Sequence, residues 1–223
     1  MTFTGFGPDA LAFYEGLAAD NSRAYFTEHK AVYDARLRAP MEALLADLEG
    51  EFGGWKIFRP NRDVRFSADK SPYKTTISGV AGGDGSEDPA WYLQLGLDGL
   101  LAGAGMYVMD REQLGRYREA VQDDRRARAL ERAIASAYDG GLDHLDEPEL
   151  KRAPRGVDPQ HPRIDLLRRK GLTLGRTHEP GPWLETDEPR DYVRATWRAC
   201  RPLCDWLADH VGPPREAPPE PPD

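Results

Sequence analysis

Trp91-Tyr92-Leu93-Gln94-Leu95-Gly96-Leu97-Asp98-Gly99-Leu100-Leu101-Ala102-Gly103-Ala104-Gly105-Met106 is the stretch that decides the fold. Its first seven residues alternate, the period of a strand with one buried face. Asp98-Gly99 is a strong two-residue hairpin signal. A turn there pairs Leu97 with Leu100, Leu95 with Ala102, Leu93 with Ala104 and Trp91 with Met106. That face is apolar and is expected to meet the core. The other face sets Tyr92, Gln94 and Gly96 across from Gly105, Gly103 and Leu101. Glycines inside a strand cost stability. Here they either relieve a bend in a curved sheet or mark the close approach of a ligand or another backbone.

Helical patterns lie on both sides of the hairpin. Gly7-Pro8-Asp9 opens a first helix with Leu11, Phe13, Tyr14 and Leu17 on its apolar face. Asp20-Asn21-Ser22 reads as a break and an N-cap for a second helix from about Arg23. Pro40 restarts the chain as a third helix, with Met41, Leu44, Leu45 and Leu48 at helical spacing. Trp55 to Ser67 reads as an extended segment bent near Pro60. A loop from Ala68 to Thr75 and a glycine-rich stretch from Gly79 to Asp88 follow. Beyond the hairpin, Asp110-Arg111-Glu112-Gln113 resembles a capping box, and a further helix covers Asp124 to Tyr138. A short helix is expected over Ile164 to Arg168, then an extended piece from Gly171 to Gly175. A last helix runs from about Asp191 to His210, with Pro202 placed to kink or divide it. The expected architecture is one α+β domain over residues 1–211, an antiparallel sheet packed by several helices. Six prolines among the last twelve residues, 212–223, predict a disordered tail.

Whole-chain counts limit the function. The 223 residues are 39% hydrophobic and 30% charged, with net charge -8. An acidic total argues against general nucleic-acid binding, which calls for a basic field. No apolar run is long enough to span a bilayer, and the first residues lack a signal-peptide pattern. The reading is a soluble cytoplasmic protein without a membrane partner. Cys200 and Cys204, four apart in a helical segment, read as two small core residues in a reducing compartment. No metal site is expected, because His210 is an isolated candidate ligand. No cofactor is expected either: Walker A, G-x-G-x-x-G, H-E-x-x-H and G-x-S-x-G patterns are all missing. Ser67-Ala68-Asp69-Lys70 matches S-x-x-K without the partner elements of that enzyme class.

The densest chemistry lies in Arg59-Pro60-Asn61-Arg62-Asp63-Val64-Arg65-Phe66-Ser67-Ala68-Asp69-Lys70-Ser71-Pro72-Tyr73-Lys74. On a strand, Val64 and Phe66 anchor in the core, while Asp63, Arg65 and Ser67 share the opposite face. Asp63 then orients Arg65, and the loop held by Pro72 brings Lys70 and Lys74 back toward it. Arginine forks and lysine point charges suit a carboxylate or a phosphate. Residues 55–75 carry six basic and two acidic side chains, net +4. The candidate anion-binding residues are Arg59, Arg62, Asp63, Arg65, Lys70, Tyr73 and Lys74, with Tyr92 and Gln94 as neighbours. A second basic stretch, residues 151–176, carries net +6 and contributes Arg155 from Pro154-Arg155-Gly156. If the chain is an enzyme, Asp63, Tyr73 or Lys70 is placed to move protons. The alternative is a non-enzymatic interaction module, whose basic cluster is a structural ion-pair network or meets an acidic partner.

Arg59-x-x-Arg62-Asp63-x-Arg65-Phe66 followed by Asp69-Lys70-x-x-Tyr73-Lys74 resembles the hallmark of a bacterial family, domain of unknown function 2461. Asn21-x-Arg23-x-x-Phe26, Trp91-Tyr92, Gly103-x-Gly105, Pro154-Arg155-Gly156 and Lys170-Gly171 are similar too. The resemblance covers about residues 3–210. It implies a single domain and emphasises the central motif, and it supplies no catalytic role.

Overall fold

The computed structural model describes residues 2–63, 65, 69–82 and 89–214. Among these, six strands form one antiparallel sheet in the order β1-β2-β3-β4-β6-β5. They are β1 (Trp55–Ile57), β2 (Thr76–Ala81), β3 (Ala90–Gly96), β4 (Gly99–Met106), β5 (Asp143–His144) and β6 (Leu172–His178). The helices are α1 (Asp9–Ala19), α2 (Arg23–Glu28), α3 (Lys30–Tyr33), α4 (Ala39–Phe52), α5 (Arg111–Gln122), α6 (Asp124–Asp139), α7 (Ile164–Arg168) and α8 (Glu188–His210). The α+β architecture with an antiparallel sheet is as the sequence predicts.

Local signals explain most helix boundaries. Ser22 Oγ accepts from the Tyr25 N–H at 3.1 Å and starts α2. The Asp110 carboxylate accepts from the Gln113 N–H at 2.7 Å, and Gln113 Oε1 accepts from the Asp110 N–H at 2.9 Å, closing the capping box of α5. Two prolines behave differently from expectation. Pro40 does not restart the chain, because a π turn over Asp34–Arg38 joins α3 to α4 without a break. The wider turn accommodates a ring that has no N–H to donate. Pro202 lies within an uninterrupted α8, on its exposed side. Buried Trp197, Cys200, Leu203, Cys204 and Leu207 hold that helix to the sheet around it.

One face of the sheet is covered by helices. Ile77, Leu93, Leu95, Leu100 and Ala102 meet α1, α4 and the start of α8 in one cluster, while Ala104, Met106, Leu172 and Leu174 meet α5, α6 and the end of α8 in another. The opposite face carries Ser78, Val80, Tyr92, Gln94, Leu101, Gly103, Gly105 and Thr173, and no helix packs over its centre among the described residues.

The expected hairpin register is corrected. Gly96 pairs with Gly99, so Leu95 faces Leu100, Leu93 faces Ala102 and Trp91 faces Ala104. Leu97 and Asp98 form the turn at negative φ, and Gly99 takes the positive φ (111°) just after it. The shift is two residues, so every side chain keeps its expected face.

Among the described residues, the extended segment expected to reach Ser67 is a regular strand over Trp55–Ile57. Conversely, β2 is a sheet strand where a glycine-rich stretch was expected from Gly79. Gly79 fits there because a side chain would crowd Leu45 and the Lys56 carbonyl at 3.0 Å. The expected core positions of Val64 and Phe66, the placement of Ser67, the 83–88 part of the glycine-rich stretch and the tail from 215 lie outside the described residues. Residues 211–213 are bound to α5 through carbonyls that accept from Arg116, including Pro213 O at 2.8 Å.

Candidate functional site

The central motif folds as two arms of an irregular hairpin beside β1 and β2. The Arg62 N–H donates to Pro72 O at 2.9 Å, the Lys74 N–H donates to Pro60 O at 2.8 Å, and Asn61 bridges Tyr73. Arg62 pairs with Asp69, whose carboxylate also accepts from Ser71 Oγ at 2.6 Å and from the Ser71 N–H at 2.9 Å. Those Ser71 bonds, followed by the Arg62 charge, hold the Asp69 carboxyl below its ordinary range. Asp63 does orient Arg65, accepting from Nη2 at 2.6 Å and from Nε at 3.0 Å. The pair is a local turn at the surface, with the Arg65 side chain 76% exposed. Hydrogen bonds from the Arg65 side chain and backbone lower the Asp63 carboxyl. Arg59 and Lys70 are exposed on the same arms. Tyr73 points elsewhere: its ring is buried and stacks on Phe26 at 4.1 Å.

Three of the expected residues do meet. Lys74, Tyr92 and Gln94 line a cleft of about 780 Å³ on the open face of the sheet. Its walls are mainly apolar, with Phe58, Val80, Leu101, Leu145 and the exposed Tyr107 and Val108 among them. The Lys74 ammonium stands 5.6 Å from the Phe58 ring centroid, a cation–π placement. The Tyr92 hydroxyl donates to Gln94 Oε1 at 2.7 Å, which leaves the Gln94 amide nitrogen as a donor to the cleft. Burial raises the Tyr92 hydroxyl above its ordinary pKa, so it stays a neutral donor.

Arg155 does not line this cleft. It stands exposed in a turn completed by Gly156 at φ 84°, beside a second depression lined by Lys151, Arg152, Pro154 and Arg168. Part of the second basic stretch is held in internal contacts. Arg163 binds Asp124 and Glu131, Arg168 binds Glu149, and Arg176 binds Thr196 Oγ1. The two basic stretches therefore do not converge on the cleft.

The far end of the cleft uses residues that the sequence does not single out. Asp146 and Thr173 line it, and behind Thr173 lies Glu147, whose side chain is 0% exposed. Glu147 accepts from Thr173 Oγ1 at 2.9 Å and from Arg169 Nη1 at 2.6 Å, with His144 Nδ1 at 3.5 Å. Burial alone would raise this carboxyl. The His144 and Thr173 hydrogen bonds and the Arg169 charge overcome it and leave it below the ordinary range. Leu145 lies across bare backbone: a Cβ at Gly103 would come within 2.7 Å of Leu145 Cδ1, and one at Gly175 within 3.2 Å. The glycine of the hairpin thus admits a segment of the chain itself. The available signal was Gly103 and Gly175 on neighbouring strands.

Among the described residues, no group of three or more His, Cys, Asp or Glu side chains is placed to hold a metal ion. No helix among them is long and apolar enough to cross a membrane. Cys200 and Cys204 are free and buried.

Comparison with known proteins finds no match among curated proteins and none among solved structures. The model of one family, described as conserved hypothetical protein (DUF2461), matches residues 9–206, a span that includes the motif arms, the whole sheet and the cleft. The chain belongs to that family.

Proposed function

We propose that this protein binds an anionic small molecule, a carboxylate or phosphate on a largely apolar body, in the cleft on the open sheet face. The observation that carries the reading is the Lys74 ammonium with the Gln94 amide nitrogen at one end of an otherwise mostly apolar recess. A recess of several hundred Å³ with few, fixed polar groups is the usual form of a small-molecule site. Charge-assisted hydrogen bonds there contribute roughly 1.5–3 kcal/mol each. The motif arms serve this site by position: their backbone bonds to Pro60 and Pro72 fix where Lys74 leaves the hairpin.

The test is a thermal-shift titration with aryl and alkyl carboxylates and phosphate monoesters, run on the parent, Lys74→Ala and Arg65→Ala. The cleft reading expects a saturable shift that Lys74→Ala abolishes and Arg65→Ala keeps. Loss in Arg65→Ala alone would move the site to the motif arms, and no shift in the parent would end the reading.

A second reading attaches to Lys151, Arg152 and Arg155, which are exposed together beside the second depression. That patch fits an acidic partner protein, and its contact would weaken steeply with salt.

A further inference from the structure

The two ends of the cleft are chemically opposite. At the Lys74 end the polar groups offered to a ligand, an ammonium and an amide N–H, are donors. At the other end Thr173 has committed its hydroxyl proton to Glu147. An ionised carboxylate only accepts, so Thr173 presents lone pairs to the cleft. Asp146 stands beside it as an exposed carboxylate with no hydrogen bond or ion pair among the described residues. The Arg169–Glu147 pair fixes this polarity from behind, because it keeps the Thr173 proton pointed away from the cleft.

The separation follows from the register. Thr173 pairs with Gly105, which pairs with Ala90, four residues along β3 from Gln94. Four residues along and two strands across give roughly 16 Å on the diagonal. Between the ends the floor includes Leu101, Gly105 and the backbone on which Leu145 lies.

Building on the anion-binding reading, we infer that the ligand is bipolar: an acidic group at Lys74 and Gln94, and a protonated amine at Asp146 and Thr173, joined by an extended apolar body. An amine satisfies both acceptors at once and neutralises the Asp146 charge, whereas a second acid would face a carboxylate across the acceptor end.

Isothermal titration calorimetry with ω-aminododecanoate, dodecanoate and dodecylamine tests this on the parent, Asp146→Asn and Lys74→Ala. The expected result is that ω-aminododecanoate binds the parent about tenfold tighter than dodecanoate, the equivalent of one charge-assisted hydrogen bond. Asp146→Asn should erase that advantage and leave dodecanoate unchanged. Equal or tighter binding of dodecanoate, or an advantage that survives in Asp146→Asn, overturns the bipolar ligand and leaves the anion site standing. Failure of dodecanoate to bind, or binding that Lys74→Ala does not weaken, overturns the anion site and the bipolar ligand together.

Discussion

Asn21 grips the backbone of Tyr73 with both ends of its amide: Nδ2 donates to Tyr73 O, and Oδ1 accepts from the Tyr73 N–H, each at 3.1 Å. A side chain from the break before α2 thereby acts as one more rung beside the motif arm, and Phe26 on α2 stacks on the same tyrosine's ring. Asn21→Ala leaves a half-buried N–H and carbonyl without this partner. It should lower stability by about 2 kcal/mol in urea titration. Probe binding at the neighbouring Lys74 should weaken with it, since Lys74 follows Tyr73 directly.

Arg65→Ala should leave the melting temperature unchanged. Its pairing with Asp63 is exposed to solvent and salt, where ion pairs contribute little. A large drop would show that the motif arm is held by Arg65 rather than by Asn21 and Phe26.

Gly103→Ala should destabilise by about 2 kcal/mol or more, measured by thermal unfolding. A Cβ there meets Leu145 Cδ1 and Leu174 O, both at 2.7 Å. Adding Leu145→Ala relieves the side-chain clash and leaves the backbone one, so the double variant should recover only part of the loss.

The Glu147 carboxyl is held below its ordinary range in the fold. Its ionised form therefore stabilises the fold above the ordinary carboxylate pKa, and that contribution is lost as pH falls through the lowered value. The melting temperature of the parent should fall more steeply below about pH 4 than that of Glu147→Gln, which has nothing to titrate there. At neutral pH, Glu147→Ala leaves the partly buried Arg169 uncompensated, a loss of about 3 kcal/mol.

Burial pushes the Cys200 thiol up to about 12 and raises Cys204 as well. Neither should react with a disulfide reagent in the native protein at pH 8, and both should react once it unfolds in denaturant.

Much of the fold was legible in the sequence because its signals are local. Ser22, the Asp110–Gln113 box and the apolar spacing of α4 act within a turn or two of themselves. The faces of the β3–β4 hairpin were legible too, since alternation survives a two-residue shift in register. The register itself was not, because Asp98-Gly99 favours a turn centred on the glycine while the chain turns on Leu97-Asp98. β2 escaped because its core face is Ile77, Gly79 and Ala81, too small to show as an apolar alternation. In the candidate site, Lys74, Tyr92 and Gln94 were legible from the motif and the hairpin face. Arg62, Asp63 and Arg65 sat in the same motif, yet they pair within their own loop, Arg62 with Asp69 and Arg65 with Asp63. Asp146, Glu147 and Thr173 were hidden, since the two-residue β5 gives no periodic signal and Glu147 and Thr173 lie 26 positions apart.

Leu145, lying on the glycine backbone of β4 and β6, sits between the two ends of the cleft and forms its waist. The width of the trough at that point is then set by one side chain next to the two-residue β5, independent of the helical core on the other side of the sheet. Replacing Leu145 with a smaller residue would open the waist over Gly103 and Gly175 to a bulkier body, and Leu145→Phe would narrow it, while the separation of the two ends, fixed by the strand register, stays the same.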